Sequence, residues 1–296
     1  MEKKLARVGE DSERVVRSTY RMVAIDLDGT LLSPDGTVSA ASKAAVQRVV
    51  NAGLRVCFAT GRNWTESQSI LDAVEHHDIA VFVGGAMVID TRSQQTLHRT
   101  VMHPSLAREI CQVLEMLGHA ALALQDTRAT GVDYLVTADV ELNEATRSWM
   151  QATRAKVHQV AGLSHYSHEH TIRVGICAAK DEVDRVQVIL RQRFADRVLC
   201  QILYVSAYAV EVLEVFDPAV NKWGGVLYVA DRHGIRPEEI VAVGDDINDL
   251  PMIAGAGLGV AMGNAKAEVQ AAARRVIKSN RENGLAEFLN EMLNGV

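Results

Sequence analysis

Short apolar runs that alternate with helix-like segments are the feature that most constrains the fold of this chain. The runs RMVAIDL, LRVCFAT and IAVFVGG are apolar almost throughout, which is typical of strands buried on both faces. The segments between them, SAASKAAVQRVVNAG and NWTESQSILDAVEHH, have the apolar spacing of helices. This alternation predicts an α/β fold with a Rossmann-like parallel-sheet core that carries helices on both faces.

A different pattern interrupts this alternation in the middle of the chain. There, helix-like segments such as SLAREICQVLEMLG alternate with strand-like segments such as HTIRVGICA, and the connections are polar and rich in histidine. The first pattern returns at VEVLEVF and continues to the C-terminus. We therefore predict three parts: an N-terminal extension over residues 1–20, a core over residues 21–102 and 208–296, and an inserted α+β cap domain over residues 103–207.

Composition excludes several classes of protein. The net charge of −6 argues against a nucleic-acid partner, and no apolar run reaches the length of a membrane span. The four cysteines form no CxxC pair, and the charged N-terminus lacks the apolar segment of a secretory signal. These features predict a cytoplasmic protein with reduced, buried thiols. They leave its oligomeric state open.

Acidic residues follow two of the apolar runs directly. Asp26 and Asp28 end the first run, and Asp245 and Asp249 follow EIVAVG near the C-terminus. The carboxyl ends of parallel strands are where ligands bind in open α/β sheets, so we expect these acids to converge. Converging carboxylates repel one another unless a cation lies between them, and oxygen ligands with open positions suit Mg2+. The spacing does not match a calcium loop in either register.

Other strand ends supply groups that suit a phosphate. LRVCFAT ends at Thr60 and Gly61, where a hydroxyl and a close backbone approach precede a predicted helix. Lys222 begins the helix that follows VEVLEVF and would add a positive charge. Each feature is weak alone, but they occur in order at successive strand ends.

The sequence contains four short motifs in the order DLDGT, ATGR, NK and GDDIND. With these motifs it resembles the haloacid dehalogenase-like (HAD) phosphohydrolases, in particular the Cof-type branch with its large inserted cap. The resemblance implies a Mg2+-dependent phosphatase that acts on small phosphorylated metabolites, such as sugar phosphates or phosphorylated cofactors. Two alternatives remain open: a phosphomutase with the same intermediate, and a non-catalytic binding protein on this fold.

The resemblance also implies roles for individual residues. Asp26 would attack phosphorus and form an aspartyl-phosphate, and Asp28 would transfer the protons. Mg2+ would be held by the Asp26 side chain, the Asp28 carbonyl and Asp245, and Asp249 would orient Lys222 or water at the metal. The phosphate would be bound by the following residues: Leu27 through its backbone, Thr60, Gly61, Lys222 and Asn248.

Some residues have no clear assignment from sequence. Gly84 stands where Cof-type chains usually carry asparagine, which leaves recognition of the leaving group in question. Arg62 is open between a substrate or cap contact and a surface charge. The cap histidines (His158, His165, His168 and His170) are interpreted as a polar loop, with a substrate contact or a second metal site as alternatives.

Overall fold

The computed structural model describes residues 20–205 and 210–295, so most of the predicted N-terminal extension lies outside the described residues. The strands in chain order are β1 (Met22–Ile25), β2 (Arg55–Phe58), β3 (Ile79–Phe82), β4 (Met87–Asp90), β5 (Gln95–Arg99), β6 (Leu122–Gln125), β7 (Tyr134–Thr137), β8 (Val157–Val160), β9 (Thr171–Ala178), β10 (Leu199–Val205), β11 (Val210–Phe216), β12 (Ile240–Gly244), β13 (Leu258–Ala261) and β14 (Arg275–Val276). The helices are α1 (Ala40–Asn51), α2 (Trp64–Ala73), α3 (Pro104–Met116), α4 (Thr127–Thr130), α5 (Glu144–Ala152), α6 (Lys180–Phe194), α7 (Lys222–Asp231), α8 (Leu250–Gly255), α9 (Ala267–Ala272) and α10 (Gly284–Leu293).

Five parallel strands form the core sheet, in the order β14-β13-β12-β1-β2. Successive residues of β1 point to opposite faces, and both faces are buried. Val23 and Ile25 pack in the cluster that contains residues of α1 and α10, whereas Met22 and Ala24 pack with residues of α7. This arrangement confirms the predicted parallel sheet with helices on both faces.

Beyond β2, the chain forms a small antiparallel sheet in the order β3-β4-β5. A parallel bridge between Ala59 and Val81 connects this sheet to the end of β2. The sequence predicted β3 but not β4 or β5; β4 is a largely buried strand of four residues, whereas β5 has two exposed and three partly buried residues. An exposed short strand lacks the continuous apolar run that marks a buried one.

The second large sheet has six strands in the order β10-β11-β9-β6-β7-β8 and is antiparallel except between β7 and β8. One face is covered by α3 and α6, since Val174 and Ile176 of β9 lie in the same apolar cluster as Ile110 and Leu190. Residues that alternate with these on β9 point to the other face. That face lines a cavity which the carboxyl edge of the core sheet also borders.

The membership of β11 differs from the predicted domain boundary. The segment VEVLEVF was expected in the core over residues 208–296, but β11 pairs with β9 and β10 in the six-stranded sheet. The reason is that a continuous apolar strand has the same sequence pattern in either sheet, so the pattern does not reveal its partners. The chain returns to the core only after Phe216.

The four cysteines are buried free thiols, in agreement with the sequence. Burial raises the pKa of the Cys57 thiol to about 12, so it is not a reactive thiolate at neutral pH. Among the described residues, no helix combines the length and the apolar character needed to cross a membrane.

Candidate active site

Three carboxylates meet at the carboxyl edge of the core sheet. Asp26 follows β1 and Asp245 follows β12, and these strands are parallel neighbours with Ile25 opposite Val243. With Asp249, from the turn after β12, they bring carboxylate oxygens within 4.8 Å of one another. The predicted convergence of acids is therefore present, because neighbouring parallel strands end at the same edge.

Lys222 neutralises part of this charge. Its Nζ donates to Asp26 Oδ1 at 2.6 Å and to Asp249 Oδ1 at 2.6 Å, and the side chain is almost fully buried. Lys222 begins α7, whose N-terminus is capped by the Asn221 side chain, and this fixes the point where the lysine enters the site. Burial lowers the lysine pKa, but the two carboxylates outweigh this effect and hold the pKa above its usual value.

Burial and mutual repulsion raise the pKa values of the acids. The pKa of Asp26 lies well above its ordinary value because the group is desolvated and faces Asp249, and Lys222 offsets this only partly. The pKa of Asp245 is raised to about 7 by burial and by the charge of Asp249. The site therefore holds more negative charge than its single lysine balances.

Two residues outside the predicted set hold Asp245 in place. Thr30 Oγ1 donates to Asp245 Oδ1 at 3.1 Å, and Asn264 Nδ2 donates to Asp245 Oδ2 at 3.3 Å and to the Gly29 carbonyl at 2.9 Å. Thr30 belongs to the DLDGT segment, so its position could have suggested a supporting role. No sequence signal marks Asn264, whose contacts depend on the return of the chain after β13.

Asp249 is fixed mainly by the backbone. Its Oδ2 accepts hydrogen bonds from the N–H groups of Asp245 and Asp246, at 2.9 and 3.0 Å, while its Oδ1 accepts from Lys222. Both oxygens are thus already engaged, although Asp249 lies in the three-carboxylate group. Its contacts suit the orientation of Lys222 better than direct metal ligation.

Asp28 forms a two-point ion pair with Arg62. Its oxygens accept from Arg62 Nε at 2.7 Å and from Nη2 at 2.6 Å. Arg62 lies in the turn after β2, so the ends of the neighbouring strands β1 and β2 place the two side chains together. The sequence left Arg62 open; the structure makes it the partner of Asp28, and the guanidinium fixes the orientation of that carboxylate.

Three of the five residues predicted to bind phosphate line one cavity, and the other two are buried and adjacent in the chain to residues that line it. Gly61, Lys222 and Asn248 line a cavity of about 770 Å³ together with Asp26, Asp28 and Asp245. Asn248 Oδ1 is buried and has no hydrogen-bond partner among the described residues. Leu27 and Thr60 are buried, and Thr60 Oγ1 accepts from the Arg62 N–H at 3.1 Å. Thr60 is thus beside the site, with its hydroxyl oxygen engaged by the backbone.

The donor set fits a hard divalent cation. The converging atoms are all carboxylate oxygens, Asp245 is oriented by Thr30 and Asn264, and the group opens onto the cavity through Asp26 and Asp245. Oxygen ligands that leave several positions open are the arrangement that Mg2+ uses with phosphate substrates. The raised pKa values of Asp26 and Asp245 agree with a site whose negative charge a cation would neutralise.

The cap histidines do not form a second site of this kind. Over residues 20–205 and 210–295, the three aspartates are the only group of three potential ligands close enough to share a metal. His168 is buried, with Nδ1 bonded to Thr171 Oγ1 at 2.9 Å and Nε2 to the Leu163 carbonyl at 2.9 Å. It stabilises the chain before β9, and burial lowers its pKa, so it is not the solvated loop histidine that the sequence suggested.

Comparison with known proteins identifies the family. The family model for haloacid dehalogenase-like hydrolases matches residues 23–289. An HMP-PP phosphatase of Serratia proteamaculans is 31% identical over 288 residues, covering 93% of this chain and 96% of the relative. The 5-amino-6-(5-phospho-D-ribitylamino)uracil phosphatase YitU of Bacillus subtilis is 30% identical over 272 residues, covering 91% and 96%. A haloacid dehalogenase-like hydrolase from Bacteroides thetaiotaomicron has the same fold, with a TM-score of 0.77, 21% identity and coverage of 92% and 99%.

The chain therefore belongs to the haloacid dehalogenase-like hydrolase family. Relatives that match it over almost their whole length are named as phosphatases. The predictions of this family, of an α/β fold with a parallel-sheet core and of an enzyme of the phosphatase class are confirmed.

Proposed function

We propose that this protein is a Mg2+-dependent phosphatase that hydrolyses small phosphorylated metabolites through an aspartyl-phosphate on Asp26. The observation that carries the proposal is the position of Asp26, whose carboxylate is held by Lys222 beside Asp245 and opens onto the cavity. A cavity of about 770 Å³ has room for a small molecule. The names of the Serratia and Bacillus relatives, both phosphatases of small phosphorylated compounds, support the substrate class.

Asp26 is the nucleophile in this proposal. Lys222 binds one oxygen of its carboxylate, which leaves the other oxygen to attack phosphorus. Attack transfers the phosphoryl group to Asp26 and releases the alcohol, and attack by water then frees phosphate and regenerates the carboxylate. Mg2+, held by Asp26, Asp245 and the Asp28 carbonyl, would supply the charge that allows an anionic phosphate to approach a carboxylate.

Asp28 carries the proton in both steps. It donates a proton to the leaving oxygen in the first step and accepts one from the attacking water in the second. Its pairing with Arg62 keeps the carboxylate directed at one place, and it lines the cavity with Asp26.

The remaining residues bind the phosphate. Lys222 contributes positive charge, and the amide of Asn248 lies beside Gly61, where a Cβ added to the glycine would be 3.8 Å from Asn248 Nδ2. Asn248 Nδ2 can donate to a phosphate oxygen, while the buried Oδ1 has no hydrogen-bond partner among the described residues. The Leu27 and Gly61 backbone groups lie at the same edge, where N–H groups can contact phosphate oxygens.

The first test is phosphate release from a panel of sugar phosphates, phosphorylated cofactors and acetyl phosphate. We expect release with Mg2+ and loss of release with EDTA, restored when Mg2+ is added in excess. The reason is that uncompensated carboxylates repel the anionic substrate. Equal release in Mg2+ and EDTA would rule out the metal, and no release from any compound would argue against a phosphatase.

A further inference from the structure

The wall of the cavity opposite the carboxylates is formed by one face of the six-stranded sheet. On β9, Arg173, Gly175 and Cys177 alternate and all line the cavity. Glu214 of β11 pairs in register with Gly175, so its side chain lies on the same face. The other face of this sheet is packed against α3 and α6, so only this face is available to a substrate.

The wall contains a buried ion pair that stability alone does not require. Arg173 and Glu214 are paired, and their side chains are only 8% and 5% exposed. Desolvation of two charges costs about as much as their attraction returns, so an apolar pair would serve a core equally well. Charges retained in the wall of an active-site cavity therefore point to recognition of a ligand.

Two further contacts hold the Arg173 side chain in place, and its ion pair with Glu214 orients the Glu214 carboxylate. Its Nη2 donates to the Tyr134 hydroxyl at 2.9 Å, and its guanidinium lies 5.6 Å from the centre of the Phe216 ring. Among the described residues, Arg173 is the one ionic partner of the Glu214 side chain, through Oε1. The second carboxylate oxygen of Glu214 can therefore accept a hydrogen bond from a ligand.

The charge and shape of the wall define what it can bind. The charge of Arg173 also acts on Glu66 of α2, which lines the cavity together with Arg154. The wall thus offers the carboxylates of Glu66 and Glu214 as hydrogen-bond acceptors. Tyr134 and Trp149, also in the lining, form an edge-to-face pair with ring centres 4.9 Å apart. Each residue is 5% exposed, so the pair presents a small apolar surface that a flat ligand can contact.

We propose that Glu214, positioned by Arg173 and Tyr134, binds an amino or ring N–H group of a planar nitrogen heterocycle on the leaving group. This inference rests on the proposed phosphatase activity and assigns its specificity. Glu214 and Arg173 are specificity-determining residues, since they lie on the opposite wall from Asp26. The heterocycle packs against the aromatic pair while its phosphate reaches the carboxylates.

The test compares three phosphate esters whose leaving groups differ. An aminopyrimidine-methanol phosphate offers a flat ring with donors, benzyl phosphate offers a flat ring without donors, and glucose 6-phosphate offers donors without a flat ring. Acetyl phosphate is the reference substrate, because its leaving group, acetate, has neither a ring nor an N–H donor for the wall to recognise. Wild-type kcat/KM is expected to be highest for the aminopyrimidine ester.

The variant is Arg173→Met combined with Glu214→Leu, which removes both charges together, so that neither member of the pair is left as a lone charge. We expect kcat/KM for the aminopyrimidine ester to fall about 100-fold, mainly through KM, because a lost hydrogen-bonding partner discriminates on this scale. Values for acetyl and benzyl phosphate should stay within about twofold, since neither uses the pair. Glu211→Gln, on the opposite face of the same strand, is the matched control and should change none of them.

The outcomes separate the two proposals. Equal losses with all four compounds would give the pair a structural role and overturn the inference. A preference for glucose 6-phosphate that is lost in the double variant would also overturn it, in favour of a polyol. Failure of the wild-type protein to release phosphate from any of the four compounds would instead contradict the phosphatase activity itself.

Discussion

Replacement of Asp26 by Asn is expected to reduce phosphate release by about four orders of magnitude or more, the scale on which enzymes lose rate when a covalent nucleophile is removed. The amide is similar in size but lacks the charged oxygen that attacks phosphorus. The measurement is kcat for the best substrate of the panel, with Mg2+ present.

The loss should come from chemistry and not from unfolding. Asp26 is buried and its pKa is raised by desolvation, so a neutral side chain relieves repulsion from Asp249. The free energy of unfolding of Asp26→Asn should therefore equal or exceed that of the wild type. Asp35→Asn, an exposed acid in the following loop, is the control and should leave kcat unchanged. Substantial activity in Asp26→Asn would remove Asp26 from the nucleophilic role.

Lys222→Met is expected to lower the free energy of unfolding by about 3–5 kcal/mol, the usual cost of removing one partner of a buried ion pair. The lysine is 1% exposed and bonds to both Asp26 and Asp249. Without it, two buried carboxylates lose their counter-charge. The measurement is urea unfolding in EDTA, so that no cation replaces the lysine.

A double variant separates the charge effect from a packing effect. Lys222→Met combined with Asp249→Asn removes one of the uncompensated charges, so it should recover part of the lost stability. Lys278→Met is the control, because Lys278 pairs with Glu287 on the surface and should cost at most about 1 kcal/mol. If Lys222→Met is as stable as the wild type, Lys222 does not provide the charge balance of the buried carboxylates.

The core of the site could be predicted from sequence because local patterns determine it. A buried apolar run identifies a strand, and the residues after it must lie at the carboxyl edge of a parallel sheet. Asp26 and Asp245 are far apart in the chain but follow neighbouring strands, so their proximity needs no knowledge of side-chain packing. Lys222 follows the same logic, as the first residue of the helix that enters this edge.

The parts that could not be predicted depend on pairing between distant segments. The pattern of β11 is equally compatible with both sheets, and only its hydrogen bonds to β9 and β10 assign it. The pairing of Arg173 with Glu214 depends on that assignment, because the two residues lie on adjacent strands of the six-stranded sheet. The contacts of Asn264 similarly require the turn after β13 to return to Asp245.

The most direct test of the proposed mechanism is to find the covalent intermediate. The wild-type protein is mixed with its best substrate and Mg2+, quenched in acid within one turnover, digested and analysed by peptide mass. We expect one added phosphoryl group on the peptide that contains Asp26, and none in the Asp26→Asn variant. Phosphate release without a phosphorylated peptide, or with the phosphoryl group on another residue, would contradict the proposed mechanism.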